Sequence, residues 1–181
     1  MDKKVRIGVI GCGGIANGKH MPAEKRNPAA EMVAFCDIIE ERALKAREDF
    51  GTPECAVYTD YKQLLKDKSI DAVLVLTPNN EHCRITVDAL NAGKHVLCEK
   101  PMAMNYAEAK KMLDDLKIVD YDGDGEREYM PDGSSPLDIS LSLIVYADST
   151  FKVSMANKIA ADLTSIGIPV KVREMSWDNY Q

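Results

Sequence analysis

The sequence predicts an α/β fold built on a doubly wound, mostly parallel sheet of about seven strands, the last two supplied by the C-terminal segment. Three observations predict it. Short apolar runs alternate with helical patterns from residue 5 onward. Runs such as Ala72-Val73-Leu74-Val75-Leu76 are apolar on both faces, as a central parallel strand requires. A glycine-rich turn stands where the first run meets the first helical pattern.

Taken in order, strands are expected over 5–10, 32–36, 56–58, 72–76 and 95–98. Helices are expected over 14–25, 40–50, 61–67, 80–92 and 106–116. A polar stretch rich in Gly and Asp follows from 120 to 135 and reads as a loop. Beyond it come a strand over 137–146, a helix over 150–165 and a strand over 168–174. Met155, Ala156, Ile159, Ala160 and Leu163 recur at helical spacing, Ser149 suits the N-cap and Gly167 the C-terminal stop.

Composition bounds the function. Of 181 residues, 45% are hydrophobic and 29% charged, values of a folded domain rather than a disordered chain. No apolar run approaches the roughly 18 residues of a membrane span, and the N-terminus leads straight into a strand, so no membrane partner and a cytoplasmic location are expected. A net charge of -6 with no basic cluster argues against nucleic acid. The five cysteines form no C-x-x-C pair, which suggests neither a zinc site nor a disulfide framework. Up to residue 117, 18 basic residues balance 18 acidic ones; after it, 5 face 11, which marks a seam. Residues 1–117 are therefore read as one unit and 118–181 as an appended βαβ segment expected to pack onto the same sheet.

Chemistry concentrates at the first turn. Val5-Arg6-Ile7-Gly8-Val9-Ile10 runs into Gly11-Cys12-Gly13-Gly14-Ile15-Ala16, a G-x-G-x-x-A turn between strand and helix. Gly11 permits the tight turn, Gly13 lets the backbone approach a pyrophosphate, and Ala16 allows close packing of helix on strand. Free N–H groups and the positive end of the helix dipole then face the phosphates. Asp37 closes the second strand 21 residues after Ala16, where a ribose-binding acid belongs. A carboxylate there accepts hydrogen bonds from ribose hydroxyls and repels a 2′-phosphate, favouring NAD over NADP. The alternative is an ordinary βα turn with Asp37 capping the next helix. The dinucleotide reading makes the fold Rossmann-like.

Gly11-Cys12-Gly13-Gly14-Ile15-Ala16, Cys36-Asp37, Thr77-Pro78-Asn79-Asn80-Glu81-His82 and Gly93-Lys94-His95-Val96-Leu97-Cys98-Glu99-Lys100-Pro101 together resemble the glucose-fructose oxidoreductase / inositol dehydrogenase / rhizopine-catabolism (Gfo/Idh/MocA) family. The resemblance implies that Thr77, Pro78, Asn79 and His82 line the cofactor at the end of the fourth strand. It further implies that Glu99 and Lys100 follow the fifth strand beside the nicotinamide, with Lys100 stabilising an alkoxide and relaying its proton. Members carry a larger second domain for the substrate. No histidine occurs after His95 and 64 residues follow residue 117, so cofactor binding without turnover is expected. Slow hydride transfer on a sugar or polyol, or a scaffold without ligand, are the alternatives.

Residues 105–181 resemble something else. Asp120-Tyr121-Asp122-Gly123-Asp124-Gly125, Pro131-Asp132-Gly133, the helix containing Ala156-Asn157-Lys158-Ile159-Ala160-Ala161-Asp162-Leu163, then Gly167-Ile168-Pro169-Val170 and Trp177 are similar to part of an oligopeptide/dipeptide solute-binding protein of ABC importers. The resemblance covers part of one lobe, so no peptide ligand is expected. Two resemblances on one chain imply a chimera, an engineered join being favoured over a natural one. Asp120, Asp122 and Asp124 imitate half of an EF-hand loop, but its twelfth position is Pro131, so no metal is assigned and Asx-type turns are expected.

Overall fold

The structure, a computed structural model, describes residues 4–130 and 135–176. Pro131, Asp132, Gly133 and Trp177, which contributed to the second resemblance, lie outside the described residues.

The chain falls into two compact units, residues 1–112 and 113–181. The first holds a five-stranded parallel sheet in the order β3-β2-β1-β4-β5. Its strands are β1 (Val5–Ile10), β2 (Ala30–Cys36), β3 (Ala56–Tyr58), β4 (Ala72–Val75) and β5 (His95–Cys98). Alternation along β1 and β4 sends successive side chains to opposite faces. Ile7, Val9, Leu74 and Leu76 join Met21, Phe35, Ala43 and Ala46 in one buried cluster. Ile10, Val73 and Val75 join Leu64, Leu65, Ile85 and Ala89 in the other. Helices α1 (Met21–Arg26) and α2 (Glu40–Phe50) thus contribute to the first core, and α3 (Tyr61–Leu65) and α4 (Asn79–Asn91) to the second. Burial on both sides explains why β4 reads as an unbroken apolar run.

The chain winds outward from β1 through β2 to β3, then returns to place β4 on the other side of β1. That reversal makes β1/β4 a topological switch point, the place where an open α/β sheet forms its crevice beyond the carboxyl ends of the strands.

Helix α5 (Tyr106–Asp115) crosses the division between the units. In the second unit, β9 (Leu141–Tyr146) and β10 (Val170–Met175) pair in parallel around α6 (Thr150–Thr164), whose Ala156 and Ala160 are buried. Ser149 caps α6 by accepting the Lys152 N–H, as its position suggested. The α/β class and the βαβ tail are as expected, but the strand count is corrected: β9 and β10 form a sheet of their own, and the central sheet has five strands, not seven. Parallel pairing with each other already satisfies one side of both strands.

One strand forms inside the stretch expected as plain loop and pairs with a short strand on either side of it. Strands β6 (Ile118–Val119), β7 (Glu128–Tyr129) and β8 (Leu137–Asp138) form a small antiparallel sheet. Two residues per strand are too few to show a period. Arg127 fixes this region: it is buried, its Nε donates to Ile166 O at 2.7 Å, and its Nη1 donates to Asp114 at 2.8 Å and to Ile118 O.

Candidate functional site

Gly11 ends β1 with φ +95°, and a Cβ there would lie 2.7 Å from the Leu76 carbonyl carbon and 2.8 Å from Thr77 N. The glycine is demanded both by left-handed backbone and by close approach of the two loops that bound the switch point. Gly13 and Gly14 differ: a Cβ on either meets nothing within 4 Å. Protein packing does not require glycine at these two positions, whereas a group lying against the backbone would. Cys12 and Ala16 are buried and Ile15 is partly exposed. The helix expected over 14–25 forms, but five of its residues, Ala16–His20, are π-helical before α1 begins. Asn17 braces this start, its Nδ2 donating to the carbonyls of Cys12 at 2.7 Å and Gly13 at 2.8 Å.

Asp37 reaches the same loop from the end of β2. Only 8% exposed, it accepts the Cys12 N–H at Oδ2 and the Ile39 N–H at Oδ1, both at 2.9 Å. The Ile39 contact is an Asx-type turn ahead of α2, whose N-cap Ile39 receives no side-chain cap, so the carboxylate braces the glycine loop rather than capping the helix. Burial, reinforced by the Asp37 charge, pushes the Cys12 thiol up to about 12, and burial followed by Asp37 does the same to Cys36. All five cysteines are free, and Cys12, Cys36 and Cys55 are buried. Because the thiolate is the nucleophile, alkylation of the native chain at about pH 8 is expected to spare Cys12 and Cys36, and to modify both in denaturant. Rapid native labelling of Cys12, read by peptide mass spectrometry, would contradict this.

Across the switch point, Leu76 continues β4 into Thr77, Pro78 and Asn79, where α4 starts. Pro78 and Asn79 are exposed. The Thr77 hydroxyl oxygen is buried without a hydrogen-bond partner among the described residues. A buried hydroxyl left unpaired is costly unless something supplies a partner. His82, on the first turn of α4, is buried. It is 1% exposed, and its ring nitrogens lie 2.8 Å from the carbonyl oxygens of Thr77 and Pro101. Both ring nitrogens face backbone carbonyls, and a neutral ring donates to one of them, so His82 spans the Thr77 and Pro101 loops.

After β5, Lys100 is exposed and precedes Pro101 through a cis peptide bond. Glu99 accepts at one oxygen from the Lys100 N–H at 2.7 Å and contacts His20 Nε2 at 2.9 Å through the other. These bonds, His20 first and then the Lys100 N–H, hold the Glu99 carboxyl below the usual carboxylate range. Neither His20 nor Asn17 stood out in the sequence. Lys94, from the Gly93-Lys94-His95 segment, is buried and donates to the carbonyls of Asp67 and Ile70, a structural role.

Two other features carry less chemistry. Asp120, Asp122 and Asp124 cluster at the surface, and their carboxylates accept backbone N–H groups of Gly123, Gly125, Asp124 and Glu126, the Asx-type turns expected there. A concavity of about 530 Å³ beside α2, lined by Glu41, Leu44, Lys45, Arg47 and Glu48 among others, is open to solvent and contains none of the site residues. Among the described residues, no helix is long and apolar enough to cross a membrane.

A dinucleotide fits what is present: an open glycine cradle at the start of a helix, an acid at the end of β2, and an orphaned hydroxyl at the switch point. Comparison with known proteins agrees. The pattern of the family described as "Oxidoreductase family, NAD-binding Rossmann fold" matches residues 5–118. Myo-inositol 2-dehydrogenase of Thermotoga maritima is 35% identical over 116 residues, 64% of this chain and 34% of that protein. Inositol 2-dehydrogenase of Salmonella typhimurium is 33% identical over 110 residues, 61% of this chain and 32% of its own length. The crystal structure of myo-inositol dehydrogenase from Lactobacillus casei in complex with NAD(H) and myo-inositol superposes with a TM-score of 0.59 at 35% identity, covering 62% of this chain and 33% of that one. A 3-ketoreductase from Actinomadura kijaniata in complex with NADP and TDP-benzene gives a TM-score of 0.58 at 34% identity, covering 62% and 34%. This chain spans about a third of the length of these relatives. Through residues 5–118, the chain belongs to the Gfo/Idh/MocA oxidoreductase family, whose NAD-binding Rossmann fold it carries.

Proposed function

We propose that this chain binds NAD in preference to NADP, with Gly11 to Ala16 against the pyrophosphate, Asp37 on the adenosine ribose, and Thr77, Pro78 and Asn79 along the crevice. The observation that carries the reading is the carboxylate of Asp37, buried against the glycine loop at Cys12 N. A negative charge fixed there accepts from ribose hydroxyls and opposes a 2′-phosphate. When bound, the nicotinamide supplies hydride transfer. This chain's own contribution is the cradle, the fixed acid and the placement of Lys100.

The exposed Lys100, its backbone held by Glu99, favours a second reading: an oxidoreductase in which Lys100 moves the proton of a sugar or polyol hydroxyl. Relatives named for inositol support that substrate class. We read residues 118–181 as a fused segment of solute-binding-protein type on their sequence motifs alone; within it, β9 and β10 pair in parallel around α6. The test is titration of the chain with NADH and, in parallel, NADPH, followed by cofactor fluorescence. Tighter NADH binding is expected. Equal or tighter NADPH binding would reject the role given to Asp37, and NAD reduction in the presence of polyols would select the second reading.

A further inference from the structure

The side chain of Glu99 joins two parts of the site that are far apart in sequence. Its own N–H donates to Val75 O at 3.0 Å, which ties the residue to the end of β4. One carboxylate oxygen accepts the Lys100 N–H at 2.7 Å, and the other lies 2.9 Å from Nε2 of His20, 79 residues away. His20 is the last residue of the π-helical turn that follows the glycine loop. Both side chains are only about a fifth exposed. An ionised carboxylate can only accept, so Nε2 carries the hydrogen. With both oxygens engaged, the carboxylate fixes the Lys100 amide and therefore the point from which the lysine side chain departs.

We propose that His20 is a positioning residue for Lys100, acting through Glu99 and linking the helix behind the phosphate cradle to the lysine expected beside the nicotinamide. The inference rests on the reading of Lys100 and NAD given above. On the opposite flank, His82 Nδ1 contacts Pro101 O at 2.8 Å, so the segment from Glu99 to Pro101 is held by a histidine at each end. The cradle and the lysine are thereby mechanically coupled: a change at one alters the other's placement.

The full chain tests this by NMR of the Lys100 amide. In the unsubstituted chain that proton is expected downfield, as a donor to a carboxylate, and to move upfield in acid with a midpoint below the ordinary glutamate value of 4.5. His20→Leu is expected to bring the midpoint back toward that value, to shift the resonance upfield at neutral pH, and to weaken NADH binding roughly three- to tenfold. His20→Gln, whose amide can still donate to Glu99, is expected to restore all three. Glu99→Gln, which keeps the shape and removes the charge, provides a second variant and is expected to displace the same resonance. A Lys100 amide unmoved in His20→Leu, or in Glu99→Gln should the former not fold, overturns the proposal. If the unsubstituted chain binds no NADH, the cofactor reading fails, while the Lys100 resonance still decides whether His20 positions it.

Discussion

Gly11→Ala is expected to remove a large share of the stability of the nucleotide-binding unit and to abolish NADH binding. The added methyl carbon would stand 2.7 Å from the Leu76 carbonyl carbon and 2.8 Å from its oxygen, and these are backbone atoms that cannot swing aside. Relief would require parting β1 from β4, which are paired as far as Ile10 and Val75. The φ of +95° adds backbone strain. Strain of about 1–3 kcal/mol and overpacking of about 1–3 kcal/mol sum to a large share of the roughly 5–15 kcal/mol by which a domain is folded. Gly13→Ala is the internal control. Nothing lies within 4 Å of its Cβ, so denaturant midpoints should be nearly unchanged while NADH binding weakens, because the methyl enters the cradle. Equal stability losses for the two variants would show that packing, and not a ligand, explains both glycines.

Asp37→Ala is expected to have the next largest effect, on stability and on cofactor choice together. Its carboxylate satisfies two N–H groups, that of Cys12 in a buried setting and that of Ile39 in a part-buried one. Orphaning them costs about 1–3 kcal/mol each where water cannot replace the lost acceptor. Since the Cys12 contact is buried and the Ile39 contact only part-buried, where water replaces some of the loss, a stability loss of about 2–3 kcal/mol follows from the brace alone. The ribose role predicts something the brace does not: the ratio of NADPH to NADH dissociation constants should fall, since removing the charge relieves a 2′-phosphate while withdrawing an acceptor from the NAD ribose. NADH affinity should drop about tenfold or more, the range of a lost hydrogen bond to a charged group. If both cofactors weaken by the same factor, Asp37 is a loop brace only.

The sequence showed the sheet plainly where burial on two faces leaves a continuous apolar run, as in β4, and where a glycine turn follows β1 at once. It showed less where contacts are short or distant. Two-residue strands such as β6 and β7 carry no period, and the division of the expected strand over 137–146 into β8 and β9 is a matter of pairing partners. The expected seven-stranded sheet failed because a βαβ pattern specifies that two strands are parallel neighbours, not which larger sheet they join. At the site, Gly11 and Asp37 were legible because turn geometry and an interval of about 20 residues define their roles locally. His82 was legible as a motif residue, but its partners, the carbonyls of Thr77 and Pro101, exist only after α4 folds back over β5. His20 had no local signal at all, since its partner Glu99 lies on another loop. Asn17 carried one, a side-chain amide one turn into a helix that can reach back to the preceding carbonyls.

The most direct test is an amide shift map of the chain on addition of NAD. Binding as described predicts saturable shifts at Gly11 to Ala16, at Asp37, from Thr77 to His82 and at Lys100. No shifts at saturating cofactor, or shifts confined to residues away from these loops, would contradict it.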